Sequence, residues 1–145
     1  MVQQNIVFVE NKAGSLKRVT EILKEAKINI YGFACFDYPE FASFRMICDQ
    51  PERANEILSE NGYMSRLTNA IMVHLKDETG SLDEVLDVFA ESNVSLNYIY
   101  TSYHRKTMKP VVILHSEELT VTEGLLKYRG FEVMEDVTDI EKDGE

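Results

Sequence analysis

The chain has 145 residues, 44% of them hydrophobic, which is enough apolar material for one ordinary domain or two very small ones. Lys and Arg number 15 against 25 Asp and Glu, a formal net charge of −10; that balance argues against nucleic acid, whose phosphates need a basic patch, and against an anionic membrane surface. No charged segment followed by a long apolar run opens the sequence, and its apolar stretches are too short to span a bilayer, so a soluble cytoplasmic protein is expected.

In chain order, Ile6-Val7-Phe8-Val9 predicts a short strand and a glycine loop follows. Leu16, Val19, Ile22, Leu23 and Ala26 then recur at helical spacing. Residues 29–36 are β-rich, Asp37-Tyr38-Pro39-Glu40 supplies a turn, and 44–48 returns as a strand. Pro51 suits a first helical turn and Gly62 the left-handed position after the last, so a second helix lies between them. A last strand is expected over 64–68. The order then repeats. A strand at 70–75 leads to a helix carrying Leu82, Val85, Leu86, Phe89 and Ala90. Strands follow at 94–103 and 111–115, then a helix opened by a Thr120-x-x-Glu123 capping box and closed by Gly130, and a strand at 132–138. The acidic residues 139–145 read as a frayed tail.

The repetition extends to individual residues. Gly14-Ser15-Leu16 recurs as Gly80-Ser81-Leu82, with Val19 over Val85, Ile22 over Val88 and Ile28 over Val94. Two extra residues in the second hairpin shift the register so that Leu58 falls over Leu126, Gly62 over Gly130 and Tyr63 over Phe131. Each unit is therefore β-α-β-β-α-β, an α+β ferredoxin-like module with helices on one face of an antiparallel sheet. The modules span 1–68 and 69–138, and Thr68-Asn69 is the only link between them.

Little in the sequence suggests catalysis. His74, His104 and His115 lack metal-ligand spacing to one another or to cysteine, and no nucleophile or phosphate-loop motif occurs. Glu21, Glu25, Glu56 and Glu60 read as solvated helix faces. Cys35 and Cys48 flank the first hairpin; they read as two small buried hydrophobes in a reducing compartment, with a cross-strand neighbourhood as the alternative. No metal, cofactor or enzymatic activity is expected.

The glycine loops carry the functional signal. Gly14 and Gly80 sit where a strand gives way to a helix, so backbone N–H groups at the helix start face outward and suit a carboxylate. Asn11 beside them both donates and accepts, which fits a zwitterion such as a free amino acid.

Val9-Glu10-Asn11-Lys12-Ala13-Gly14-Ser15-Leu16, followed by Asn29-Ile30, resembles the start of an ACT domain, and the resemblance covers nearly the whole chain twice. It is similar to the regulatory small subunit of acetolactate synthase and to the regulatory domain of phosphoglycerate dehydrogenase. The resemblance implies two modules paired side by side into an eight-stranded sheet, with effectors bound at the seam. One seam site would combine Asn11, Ala13, Gly14, Ser15 and Leu16 with Ser95 and Leu96. The other would combine Asp77, Thr79, Gly80, Ser81 and Leu82 with Asn29 and Ile30. Asp77 places a charge where the family has an amide, which would repel a carboxylate and hold an ammonium, so unequal sites are expected. Ala13 and Thr79 stand where proline is frequent. The implied function is an amino-acid-binding regulatory sensor of amino-acid metabolism, assembled as a homo-oligomer and acting on a metabolic enzyme. The alternative is a regulatory subunit attached to a catalytic chain such as acetolactate synthase, its ligand sites vestigial.

Overall fold

The computed structural model describes residues 1–143. The chain divides into two compact units, one formed by Gln3–Thr68 and the other by Asn69 onward together with Met1–Val2.

In the first unit β1 (Val2–Glu10) leads through the Gly14 loop into α1 (Ser15–Glu25), followed by β2 (Ile30–Asp37), β3 (Phe41–Cys48) and α2 (Pro51–Glu60). Strand β3 lies antiparallel to β1 on one side, with Val7 opposite Phe44, and to β2 on the other, with Cys35 opposite Phe44. Periodicity decides the helix face: Val19, Ile22 and Leu23 of α1 and Ala54 and Leu58 of α2 are buried. They pack on Val7, Val9, Phe44, Met46 and Cys48 of the strands. Pro51 opens α2, and Gly62 (φ 86°) closes its last turn in the left-handed region.

The thiols differ from the expectation of two buried hydrophobes. Cys35 is exposed and Cys48 buried, and both are free. The register sets Cys48 opposite Ile30, so the thiols do not face each other across the hairpin. Burial pushes the Cys48 thiol up to about 11, and its Sγ donates to Asn5 Oδ1 at 3.4 Å. Since the thiolate is the reactive species, an aromatic disulfide reagent at neutral pH should titrate one thiol quickly. The second should react only on denaturation, and a Cys35→Ser variant should show no fast phase.

The second unit repeats the plan with α3 (Ser81–Ser92), β5 (Leu96–Tyr103), β6 (Pro110–Ser116) and α4 (Leu119–Tyr128). Strand β6 pairs antiparallel with β5 and with the later part of β4 (Met64–His74). Val85, Val88 and Phe89 of α3 and Leu126 of α4 bury against Ile71, Val73, Val112 and Leu114. Among the described residues there are six strands and four α-helices.

Three local expectations need correction. The segments 64–68 and 70–75 form one strand, β4, with no break at Thr68-Asn69. The Thr120-x-x-Glu123 capping box does not form, because α4 begins at Leu119 and has no side-chain cap; Glu123 takes the N-terminal ammonium of Met1 and Lys127 instead. Residues 132–138 do not make a strand. Val133 forms a single bridge to Val73, flanked by His74 N–H to the Glu132 carbonyl (3.0 Å) and Met134 N–H to the Met72 carbonyl (2.8 Å). Asp136 then ends the pairing. Its carboxylate accepts from Thr138 N–H at 2.8 Å, Asp139 accepts from Asp136 N–H at 3.0 Å, and this reciprocal box starts a 3-10 helix, Val137–Glu141. That helix buries Ile140 completely. Residues 139–141 are therefore built into the unit, while Gly144 and Glu145 of the expected tail lie outside the described residues.

Candidate functional site

Each unit carries a cleft where its first helix starts. In the first, Gly14 holds φ 85°, a conformation that costs a side-chain-bearing residue strain, and it turns the chain from β1 into α1. No side chain caps α1, and among the described residues no acceptor meets the N–H groups of Leu16 and Lys17. A cleft of about 470 Å³ opens there, walled by Phe8–Glu10, Lys12–Ser15, Arg18 and the turn Gly62-Tyr63-Met64. Its charges are paired close by: Lys12 Nζ lies 2.7 Å from Glu10 and Arg18 3.3 Å from Glu21. The hydrogen-bonded Lys12 ammonium holds the Glu10 carboxyl below its ordinary range, and Glu10 raises the Lys12 amine.

The second unit has the counterpart. Gly80 (φ 91°) turns into α3, which again lacks a side-chain cap, and among the described residues the N–H groups of Leu82 and Asp83 meet no acceptor. The cleft, about 300 Å³, is walled by His74–Lys76, Ser81, Glu84, Lys109 and the turn Arg129–Glu132. Ser81 is 6% exposed, and its Oγ has no hydrogen-bond partner among the described residues. A buried hydroxyl left unpaired costs about 1–3 kcal/mol. Arg129 pairs with Glu91, whereas Lys76, Lys109, Glu84 and Glu132 enter no ion pair among the described residues.

Within their own units, the residues singled out by sequence fall in different surroundings. Ala13, Gly14 and Ser15 line the first cleft and Ser81 the second. Leu16 and Ile30 pack against the first core and Leu96 against the second. Leu82, Asp77, Thr79, Gly80, Asn29 and Ser95 are exposed and wall neither cleft. Asn11 has a structural partner: its Nδ2 donates to Asp37 Oδ1 and to the Tyr38 carbonyl at 3.3 Å, tying the loop to the end of β2. Asn29 N–H donates to Asp49 at 2.9 Å. The sequence reading missed Arg18, Lys109 and the turn residues after the second helices. Gly62-Tyr63 and Gly130-Phe131 had carried a signal, since they align in the repeat, but their glycines also close helices.

A neighbouring groove brings His74 within 5.7 Å of His104, ring centre to ring centre. His104 Nδ1 accepts from the N–H groups of Lys106 and Thr107 at 3.2 and 3.1 Å. Burial lowers the His74 pKa, His104 and Lys109 add to the shift, and Glu132 and Asp139 oppose it. A depressed folded-state pKa means the unfolded chain binds the proton more readily. Stability from this group is full above an ordinary histidine pKa of about 6.5 and falls as pH drops below it. His74→Gln should therefore show a shallower loss of denaturant midpoint between pH 7.5 and 5.5 than the parent.

Among the described residues no three His, Cys, Asp or Glu gather to hold a metal ion, and no helix is long and apolar enough to cross a membrane. The clefts offer backbone N–H groups, hydroxyls and charges of both signs. A family model for the ACT domain pair matches residues 1–136. The chain belongs to the ACT domain pair family. Among solved structures, a protein of Bacteroides thetaiotaomicron superposes with a TM-score of 0.84 at 23% identity, over 92% of this chain and 91% of the other. The ligand-free regulatory subunit of aspartate kinase from Thermus thermophilus gives 0.60 at 17% identity, over 88% and 91%. The aspartokinase alpha and beta subunit structure gives 0.57 at 18%, over 87% and 90%. At these identities the likeness is one of fold. No curated protein matches the chain in sequence. The ACT pair match stops at residue 136, just before the 3-10 helix that buries Ile140.

Proposed function

We propose that this ACT domain pair is a regulatory sensor that binds a free amino acid, or a similar small zwitterion, at its glycine-loop clefts and performs no chemistry itself. The carrying observation is the repeated construction of the clefts: a left-handed glycine, an uncapped helix start and a polar wall, present in both units. In a chain of net charge −10, each cleft wall still carries more Lys and Arg than Asp and Glu. The uncapped helix starts favour an anionic group at each cleft, beside charges of both signs. Binding would favour one conformation and so alter a partner enzyme of amino-acid metabolism, with the protein cytoplasmic and homo-oligomeric.

A thermal-shift screen of the purified chain against the twenty amino acids tests this. A ligand at a hundredfold over its Kd adds about 2.7 kcal/mol, several degrees of midpoint for a chain of this size. A selective shift is the expected result, and no shift with any amino acid rejects the sensor.

A second reading, a subunit held on a catalytic chain with vestigial sites, is favoured by a different observation. Phe36, Tyr38 and Phe41 are exposed on the β2–β3 hairpin of the first unit, with Tyr38 stacked on Phe41. The fold likeness to a regulatory subunit of aspartate kinase suggests the type of catalytic chain. Co-purification of a stoichiometric enzyme from the native source, lost in a Phe36→Ser variant, would favour it.

A further inference from the structure

We infer that His104 is a proton-operated latch for the C-terminal 3-10 helix: a proton on its ring opens the β5–β6 loop and frees residues 137–143 from the rest of the second unit. The latch is independent of any ligand at the glycine-loop clefts. Two departures from the internal repeat meet here. The loop between β5 and β6 runs over residues 104–109, against 38–40 in the first unit, and the 3-10 helix lies beyond the family match, which stops at residue 136. The longer loop holds the helix. Arg105 N–H donates to the Ile140 carbonyl at 2.8 Å, and Lys106 Nζ lies 2.7 Å from Asp143. The ion pair is exposed and contributes little, so the backbone bond and the burial of Val137 and Ile140 carry the attachment.

His104 gives that loop its shape. The residue is 4% exposed. Its N–H donates to the Lys109 carbonyl at 2.9 Å and its carbonyl accepts Met108 N–H at 2.8 Å, which closes the loop. The ring fills the inside, where Nδ1 accepts both the Lys106 and the Thr107 N–H groups. Met108 takes a left-handed φ of 62°, which a side-chain-bearing residue keeps only while its surroundings hold it there. A protonated imidazole has two donors and no acceptor. A proton on Nδ1 therefore breaks both bonds and sets N–H against N–H. Arg105 lies between His104 and Lys106, so its bond to Ile140 goes with the loop. Opening exposes the apolar seat of Val137 and Ile140, and a fall in pH becomes a new apolar surface. The surrounding charges do not reverse this. Lys109 of the same loop, His74 of β4, Glu132 and Glu135 after α4, and Asp139, Lys142 and Asp143 of the strap share the groove with His104. Glu135, Asp139 and Asp143 are paired with Lys127, Lys142 and Lys106, which leaves Glu132 to favour a charged ring and Lys109 to oppose it. Burial lowers the His74 pKa, so that ring resists taking the proton itself.

The test is amide hydrogen exchange of the full chain at pH 7.5 and 5.5, read by mass spectrometry and corrected for the intrinsic effect of pH on exchange. A single proton taken up only by the open form, at an ordinary histidine value of about 6.5, raises the open population about tenfold between these two pH values. Segments 104–109 and 137–143 should therefore exchange about tenfold faster at pH 5.5, while α3 and the buried strands of the unit stay within twofold. His104→Asn keeps a side-chain oxygen to accept the loop N–H groups and has no proton to gain, so its exchange should be slow at both pH values. His104→Ala has no acceptor and should exchange fast at both. His74→Gln should keep the tenfold rise. A wild type with no rise overturns the latch, and so does a rise spread equally over α3 and the buried strands. A full rise in His104→Asn, or its loss in His74→Gln, overturns the assignment to His104.

Discussion

Ile140→Ala is expected to lower stability by about 2–5 kcal/mol, the range for removing a buried aliphatic side chain and leaving part of its cavity unfilled. Urea unfolding should show it as a fall in midpoint with unchanged slope. Ile140 is completely buried although it lies in the acidic 139–145 stretch and beyond the family match. Its carbonyl accepts Arg105 N–H at 2.8 Å, so the helix is fastened by backbone as well as by packing. The neighbouring Asp139–Lys142 pair, 2.6 Å apart on the surface, supplies the control. Exposed pairs of this kind contribute about 0–1 kcal/mol, so Lys142→Ala should hardly move the midpoint. Similar small effects from both substitutions would show the 3-10 helix to be loosely attached.

The segment reads as a tail in the sequence for a physical reason. Residues 132–138 contain Val133 and Val137, and a β reading over them is locally reasonable. What decides is the pair of carboxylates at Asp136 and Asp139, which satisfy each other's backbone N–H groups and turn the chain after one bridge. The same box signature stands at Thr120, where α4 starts too early for it to form. By contrast, the helices were legible because their apolar spacing answers to a single buried face: Val19, Ile22 and Leu23 in one unit, Val85, Val88 and Phe89 in the other. The glycine turns were legible because a positive φ falls to glycine for steric reasons. Side-chain partners were less so. Asn11 looks like a ligand group in the sequence and ties down Asp37 in the structure. Ser15 and Ser81 are identical in the repeat, and only the three-dimensional wall makes one of them buried and unpaired. Arg129–Glu132 reaches the Ser81 cleft from the far end of the unit, a proximity that no local pattern encodes.

Gly80→Val should destabilise the protein by about 1–3 kcal/mol, the cost of forcing a β-branched residue into a sparsely populated backbone region. Crowding is not the cause, since a Cβ at Gly80 would meet nothing within 4 Å. The cost comes from φ 91°, which the turn from β4 into α3 requires. A chain that relaxes this angle rotates the Leu82 and Asp83 N–H groups with it, so amino-acid binding should be lost along with stability. Gly124 separates the two explanations. It also faces open space but lies inside α4 at an ordinary helical φ. There alanine relieves the entropic cost of glycine, and Gly124→Ala should stabilise by about 0.5–1 kcal/mol. Gly80→Asn should fall between, because asparagine tolerates left-handed geometry better than other side chains. Thermal midpoints ordered Gly124→Ala, parent, Gly80→Asn, Gly80→Val would trace the effect to backbone conformation. If Gly80→Val melted with the parent, the positive φ would not be needed for the fold, and the glycine would have to be explained by the ligand's approach instead.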